Sequence, residues 1–350
     1  MGVFTIDHGN PGPRYHGRVT RRPLAFGVTL ALAGLLACGS FGEAPSQAGV
    51  QPGAEGGAEA GLTDAQPAGP DGGTVVPTPP RACAVGKGFG APHEITSAGT
   101  RVEAARFSTD RKTAYLSLCA SSVTKTTCDL FTAAVDGETI GTPVLHALST
   151  SIVYDTNLVL SPDSSVAIFA SGRVAPGDQI YTALFDAKTG QYGSVARLAL
   201  PKNPTATAFA NEPYLLRDGK TLYFSAAPTS GTDWDLYRAN GEAPGYDSGN
   251  AKVLAGNANS GNEDVAPVVT EDEEELFFAT NRSGLPFDVW TATKTSGALP
   301  GMFDSPDIVG VLKTDNVEYP TWISPDACAL YFIRKTTASA AGGALWVATR

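Results

Sequence analysis

The chain has 350 residues, 42% of them hydrophobic and 17% charged, with a formal net charge of -10. That apolar fraction is enough to bury the core of one large domain. The acidic balance argues against a nucleic-acid binder, because phosphate contacts need clustered Lys and Arg, and against a polybasic membrane patch.

Residues 1–37 read as a signal peptide and stand apart from the fold. Arg18, Arg21 and Arg22 precede an apolar run from Leu24 to Ala37, too short and weakly flanked to span a bilayer. The run ends Leu35-Leu36-Ala37-Cys38-Gly39, which resembles the lipobox of bacterial lipoproteins. The resemblance implies cleavage before Cys38 and acylation of that cysteine. Three acyl chains give firm anchoring where one is marginal. Gly39 is not the acidic residue associated with inner-membrane retention, so the resemblance favours the outer membrane, facing the periplasm. Met1–His16 is long for the polar start of a signal sequence, and translation is expected to begin downstream, at Val19. Residues 38–82 are dominated by Gly, Ala, Pro, Gln and Ser, with few large aliphatic residues, among them Leu62, Val75 and Val76. Such a segment buries too little surface to offset its ordering entropy, and is expected to be a disordered tether.

From residue 100 onward one pattern returns five times. A turn containing Asp110, Asp163, Asp218, Asp272 or Asp326 is followed by an apolar segment such as Val166–Ser171 or Leu222–Ser225. A second segment then ends in an aromatic residue: Phe131, Tyr181, Tyr237, Trp290 or Trp346. The turn aspartates lie 53 to 55 residues apart. In Ser-Pro-Asp-Gly-like turns Pro fixes φ, Asp bonds its own backbone and Gly accepts φ > 0. The flanking runs are rich in β-branched and aromatic residues, as strands are. The unit is strand, tight turn, strand, loop, strand, with a fourth short strand after it. Five such units over residues 83–350 predict an all-β fold: one five-bladed β-propeller of four-stranded antiparallel blades, with six blades as the alternative. The chain stops after the third strand of its last unit. The segment around His93–Ile95 is therefore expected to supply the missing outer strand and close the ring, removing free sheet edges.

These repeats resemble the WD-like propeller repeats of TolB and related periplasmic proteins, over roughly residues 100–350. TolB has six blades and an additional N-terminal domain, so the resemblance implies fold more than role.

Besides Cys38 the chain has Cys83, Cys119, Cys128 and Cys328. An even number in an exported domain predicts disulfides. Cys119 and Cys128 fall on the two strands of the first unit's central hairpin and are expected to bond, leaving Cys83 to pair with Cys328. No zinc spacing is present, and no metal or cofactor is expected. Of the four histidines only His93 and His146 lie in the folded part. No nucleophile elbow, P-loop or dinucleotide fingerprint appears.

Acidic residues recur just before the first strand of each unit: Glu103, Asp155, Glu212, Asp264 and Glu318. First strands line a propeller's channel, so these five are candidates for a ring at one mouth that receives a cation or a basic peptide. Their offsets from the turn aspartate differ by up to two residues, and alternate positions of a strand face opposite ways, which favours plain turn chemistry. The acidic run Glu271–Glu275 is expected to be solvated, and Trp234 and Trp322 to pack in the core or between blades. The expected function is binding of a protein or peptide partner by a membrane-anchored, non-catalytic propeller. The alternative is a carbohydrate-active enzyme using channel carboxylates.

Overall fold

A computed structural model describes residues 80–95, 101–120, 127–150, 153–174, 177–198, 209–227, 233–242, 245–246, 252–284, 286–337 and 342–350. Cys38, the expected signal peptide over residues 1–37 and nearly all of the expected tether over residues 38–82 lie outside these residues. The described residues all belong to one compact unit, Ala65–Arg350.

The strands form five small antiparallel sheets, the blades of a five-bladed propeller, with Ala255–Gly256 and Met302–Phe303 as a separate short parallel pair, and no helix occurs among the described residues. Blade 1 runs Arg101–Phe107, Thr113–Cys119, Cys128–Asp136, with its outer position split between Thr139–Ile140 and Val144–Leu145. Blade 2 is Asp155–Leu160, Val166–Ser171, Gln179–Asp186 and Gln191–Arg197. Blade 3 is Phe209–Leu215, Thr221–Ala227, Asp235–Glu242, with Gly245–Tyr246 and Lys252–Val253 outside. Blade 4 is Asp264–Val269, Glu275–Thr280, Asp288–Thr293 and Asp307–Ile308. Blade 5 is Val317–Ile323, Ala329–Lys335, Ala344–Thr349, and its outer strand comes from the other end of the chain, His93–Glu94. His93 pairs with Val347 and Glu94 with Trp346, so the ring closes on itself.

The repeat builds each blade by the same local chemistry. Asp110, Asp163, Asp218, Asp272 and Asp326 each accept the amide N–H of the residue two positions on, the bond that makes a short Asx-type turn. The residue after each aspartate has positive φ, but only Gly219 is glycine; Arg111, Ser164, Glu273 and Ala327 hold that conformation at a steric cost. Beyond the turn, Phe169, Phe224, Phe278 and Phe332 occupy one register position of the second strand and are fully buried. Each lies opposite an aromatic of the third strand: Tyr181, Tyr237, Trp290 and Trp346. Full burial of one such ring contributes about 2 kcal/mol. The core is therefore distributed between the blades, and the axis is left to the five innermost strands.

Covalent and ionic ties meet at the closure. Cys83 is bonded to Cys328 in blade 5, and Cys119 to Cys128 across the hairpin of blade 1. Glu275 of blade 4 is 1% exposed and receives both Arg81 and Arg350, each at 2.6 Å, from the first and last described segments. Burial pushes its carboxyl up, but the hydrogen bonds from Arg350 and Arg81 more than reverse this and hold it below the usual range. The run Glu271–Glu275 is thus not simply solvated, contrary to its polar appearance. Glu275 anchors both ends, Glu273 pairs with Arg238, and Glu271 is largely buried, with its carboxyl pushed up to about 7.

Candidate functional site

Every innermost strand carries a β-bulge at about its middle, between Val102 and Ala104, Thr156 and Val159, Asn211 and Tyr214, Val265 and Val268, and Pro320 and Trp322. An extra residue on one strand re-aims its neighbours. In these strands it divides the five candidate acids into two groups.

Asp155, Asp264 and Glu318 lie eight residues before their turn aspartates and are all 0% exposed. Each pairs with an arginine just past the second strand or at its end: Arg173 at 3.0 Å, Arg282 at 2.7 Å and Arg334 at 3.0 Å. Each also accepts a hydroxyl, from Thr150, Ser260 and Thr314. The guanidinium then donates to a loop carbonyl, of Leu148, Ala258 or Leu312. It also covers the two aromatics beneath it, as Arg334 covers Phe332 and Trp346. These three acids fix the loop that enters each blade, and they do not line the channel. Blades 1 and 3 have buried Val102 and Ala210 at the same position.

Glu103 and Glu212 fall at the bulges instead, and both line a cavity of about 270 Å³. The wall is drawn from the first halves of all five innermost strands and the loops beside them, and it includes Glu263, Trp234, Phe287 and Tyr319. Glu212 accepts the hydroxyl of Ser225 and the amide of Ala266, both at 2.6 Å. Burial raises its carboxyl despite those bonds. Burial likewise raises Glu263. Asp178 stands beside this group; burial, and then the charges of Glu212, Asp155 and Glu103, push its carboxyl up to about 6. Lys335 is the basic residue of the cavity wall, and it is engaged twice: at 2.5 Å from Glu103 and over the Tyr319 ring at 5.1 Å. Three carboxyl groups, Glu103, Glu212 and Glu263, thus share a partly apolar recess with one cation, and Asp178 stands just outside its wall. Such a site favours an incoming positive charge flanked by aliphatic or aromatic surface. Trp234 packs against a core cluster that includes Val265 and Phe287, as expected, and also lines the cavity wall.

Glu103 also lies near the Cys119 and Cys128 sulfurs, a grouping with metal-like spacing. The sulfurs are bonded to each other and offer no thiolate, so the grouping is a disulfide beside a carboxylate.

Asp178 and Glu263 carry no mark in the repeat, because they come from the loops before a third and a first strand. A second cavity, about 290 Å³, lies at the other end of the same innermost strands. It contains Arg106 and Trp322. Sequence reasoning overlooked Arg106, although a signal was present: the matching positions of the other units are Val159, Tyr214, Val268 and Trp322.

No protein-family model matches the chain, and no curated protein matches it either. Among solved structures it is similar to TolB from Acinetobacter baumannii, at 15% identity and a TM-score of 0.46, over 73% of this chain and 56% of that one. It is also similar to a glycosyl hydrolase from Bacteroides ovatus, at 11% identity and a TM-score of 0.42, over 71% of this chain and 83% of that one. A third is the aldose sugar dehydrogenase from Escherichia coli, at 11% identity and a TM-score of 0.42, over 74% and 99% of the two chains. The chain thus spans little more than half the length of the Acinetobacter TolB. At such identities and TM-scores, fold and function are read from this chain's own strands and side chains.

Proposed function

We propose that this chain is a non-catalytic binding module of the bacterial envelope. It is tethered through acylated Cys38 and residues 38–82, and its propeller receives a basic segment of a protein or peptide partner at the acidic end of the channel. One observation carries the reading: Glu103, Glu212 and Glu263 line one cavity with a single, already engaged Lys335 beside Trp234, Phe287 and Tyr319, and Asp178 adds a further carboxyl next to Glu212. A lysine or arginine side chain supplies both the missing charge and an aliphatic stem for the rings. The test is calorimetric titration of the full-length protein with trilysine and with trialanine. Trilysine should bind and weaken with salt, and Glu212→Gln should weaken it about three- to tenfold, a loss of roughly 1 kcal/mol. Equal binding of the two peptides would refute the reading. Anchoring is tested separately by metabolic labelling with a fatty acid, which Cys38→Ser should abolish.

A second reading has its own observation. Asp178, held near 6 beside Glu212, is the kind of paired carboxyl that serves as a general acid in glycoside hydrolysis. Turnover of aryl glycosides by the wild type, lost in Asp178→Asn, would replace the binding reading with this one.

A further inference from the structure

Most of the buried and part-buried arginines among the described residues are ion-paired. Arg81, Arg173, Arg238, Arg282, Arg334 and Arg350 are largely buried, and each meets a carboxylate. Arg106 is 3% exposed, and no carboxylate among the described residues lies within ion-pair distance of it. Its Nη1 donates to the Thr321 hydroxyl at 3.1 Å and its Nη2 reaches the Pro213 carbonyl at 3.5 Å. Its Nε is buried with no acceptor. The guanidinium lies 5.0 Å from the Tyr214 ring centroid. Burial lowers its proton affinity to a pKa of about 10, still fully charged at neutral pH. The charge of Glu212 acts on it favourably but from beyond ion-pair distance, and a buried cation compensated only so far is costly. Here it also breaks the repeat, since the other four blades place an apolar or aromatic residue at this register.

The surroundings show what would compensate it. The cavity of about 290 Å³ that Arg106 lines is walled by Phe107, Tyr115, Tyr214 and Trp322. Arg217, also on the wall, has its own Nη1 buried without a partner. The carboxylates on the wall are committed elsewhere: Asp110 to its turn, and Glu271 to the Arg217 amide. We propose that this end of the channel is a binding site for a monocarboxylate with an aromatic or apolar body, its carboxylate on Arg106 and its body against the rings. A dianion such as phosphate fits less well, because the site offers few free donors and the chain is strongly acidic. The site opens at the other end of the innermost strands from the acidic cavity, whose Glu212 acts on Arg106 through its charge, and the proposal does not depend on the function assigned to that cavity.

The experiment is calorimetric titration of the full-length protein with benzoate and with its neutral isostere benzamide. Benzoate should bind at least tenfold more tightly than benzamide, the equivalent of about 1.4 kcal/mol. Arg106→Met should bring benzoate down to the benzamide level without lowering the melting temperature, since Met resembles what the other blades carry. Equal affinity of the two probes, or no benzoate binding, would overturn the proposal. So would a melting temperature several degrees below wild type in Arg106→Met, which would mark the arginine as part of the scaffold.

Discussion

Blades 2, 4 and 5 differ from blades 1 and 3 in where they keep their charges. In the first group an acid, an arginine and a hydroxyl close on one another at the entrance of the blade, over two aromatic rings. In the second group that acid position is Val102 or Ala210. The acids Glu103 and Glu212 shift onto the bulge, and blade 1 adds an unpaired arginine on the axis. One repeat therefore serves two purposes. Where its charges neutralise each other they hold loops, and where they are displaced by one or two residues they line the cavity.

The largest effect that separates the two groups is expected from Arg282→Met. It leaves Asp264, fully buried, without its counter-ion, and should cost about 3–5 kcal/mol of unfolding free energy, read by urea denaturation. A loss below 1 kcal/mol would mean the clamps are decorative. Next comes closure: the double variant Cys83→Ser, Cys328→Ser should lose about 2–4 kcal/mol, measured the same way under oxidising conditions. No change would show that the strand pairing and Glu275 close the ring unaided.

The acidic cavity gives a smaller, pH-dependent effect. Asp178 has its folded-state value raised, so the protonated fold is the stable one, and this contribution is complete below about pH 4 and lost as pH rises through about 6. Asp178→Asn should therefore melt higher than wild type at pH 8 and equal to it at pH 4. Trilysine affinity should rise between pH 5 and pH 7 in the wild type and rise less in the variant, where Glu212 and Glu263, also raised by burial, still titrate. The smallest effect is expected at the blade 5 turn: Ala327 has φ 61°, and Ala327→Gly should stabilise by about 0.5–1 kcal/mol in the same urea titration. A loss there would show that the turn tolerates this backbone at no cost.

The propeller itself was legible in the sequence, because five turn aspartates at near-constant spacing and matching aromatics leave few other all-β arrangements. Closure followed from a last unit one strand short. The acids were harder to place. Eight, seven or six residues before the turn look alike in a string of letters, yet a bulge of one residue decides whether a carboxylate enters a blade or the channel. Asp178 and Glu263 come from loops, where no periodicity points. Arg106 was the opposite case: it was visible as the charged exception among Val159, Tyr214, Val268 and Trp322, and its isolation became evident only once the burial and partners of the other arginines were known.

Arg106 should differ in kind from the paired arginines, and the most direct test of this is the urea unfolding of Arg106→Met beside Arg282→Met at neutral pH. Arg106→Met should match or exceed the wild type in stability while Arg282→Met falls well below it. Comparable losses in both would contradict the account.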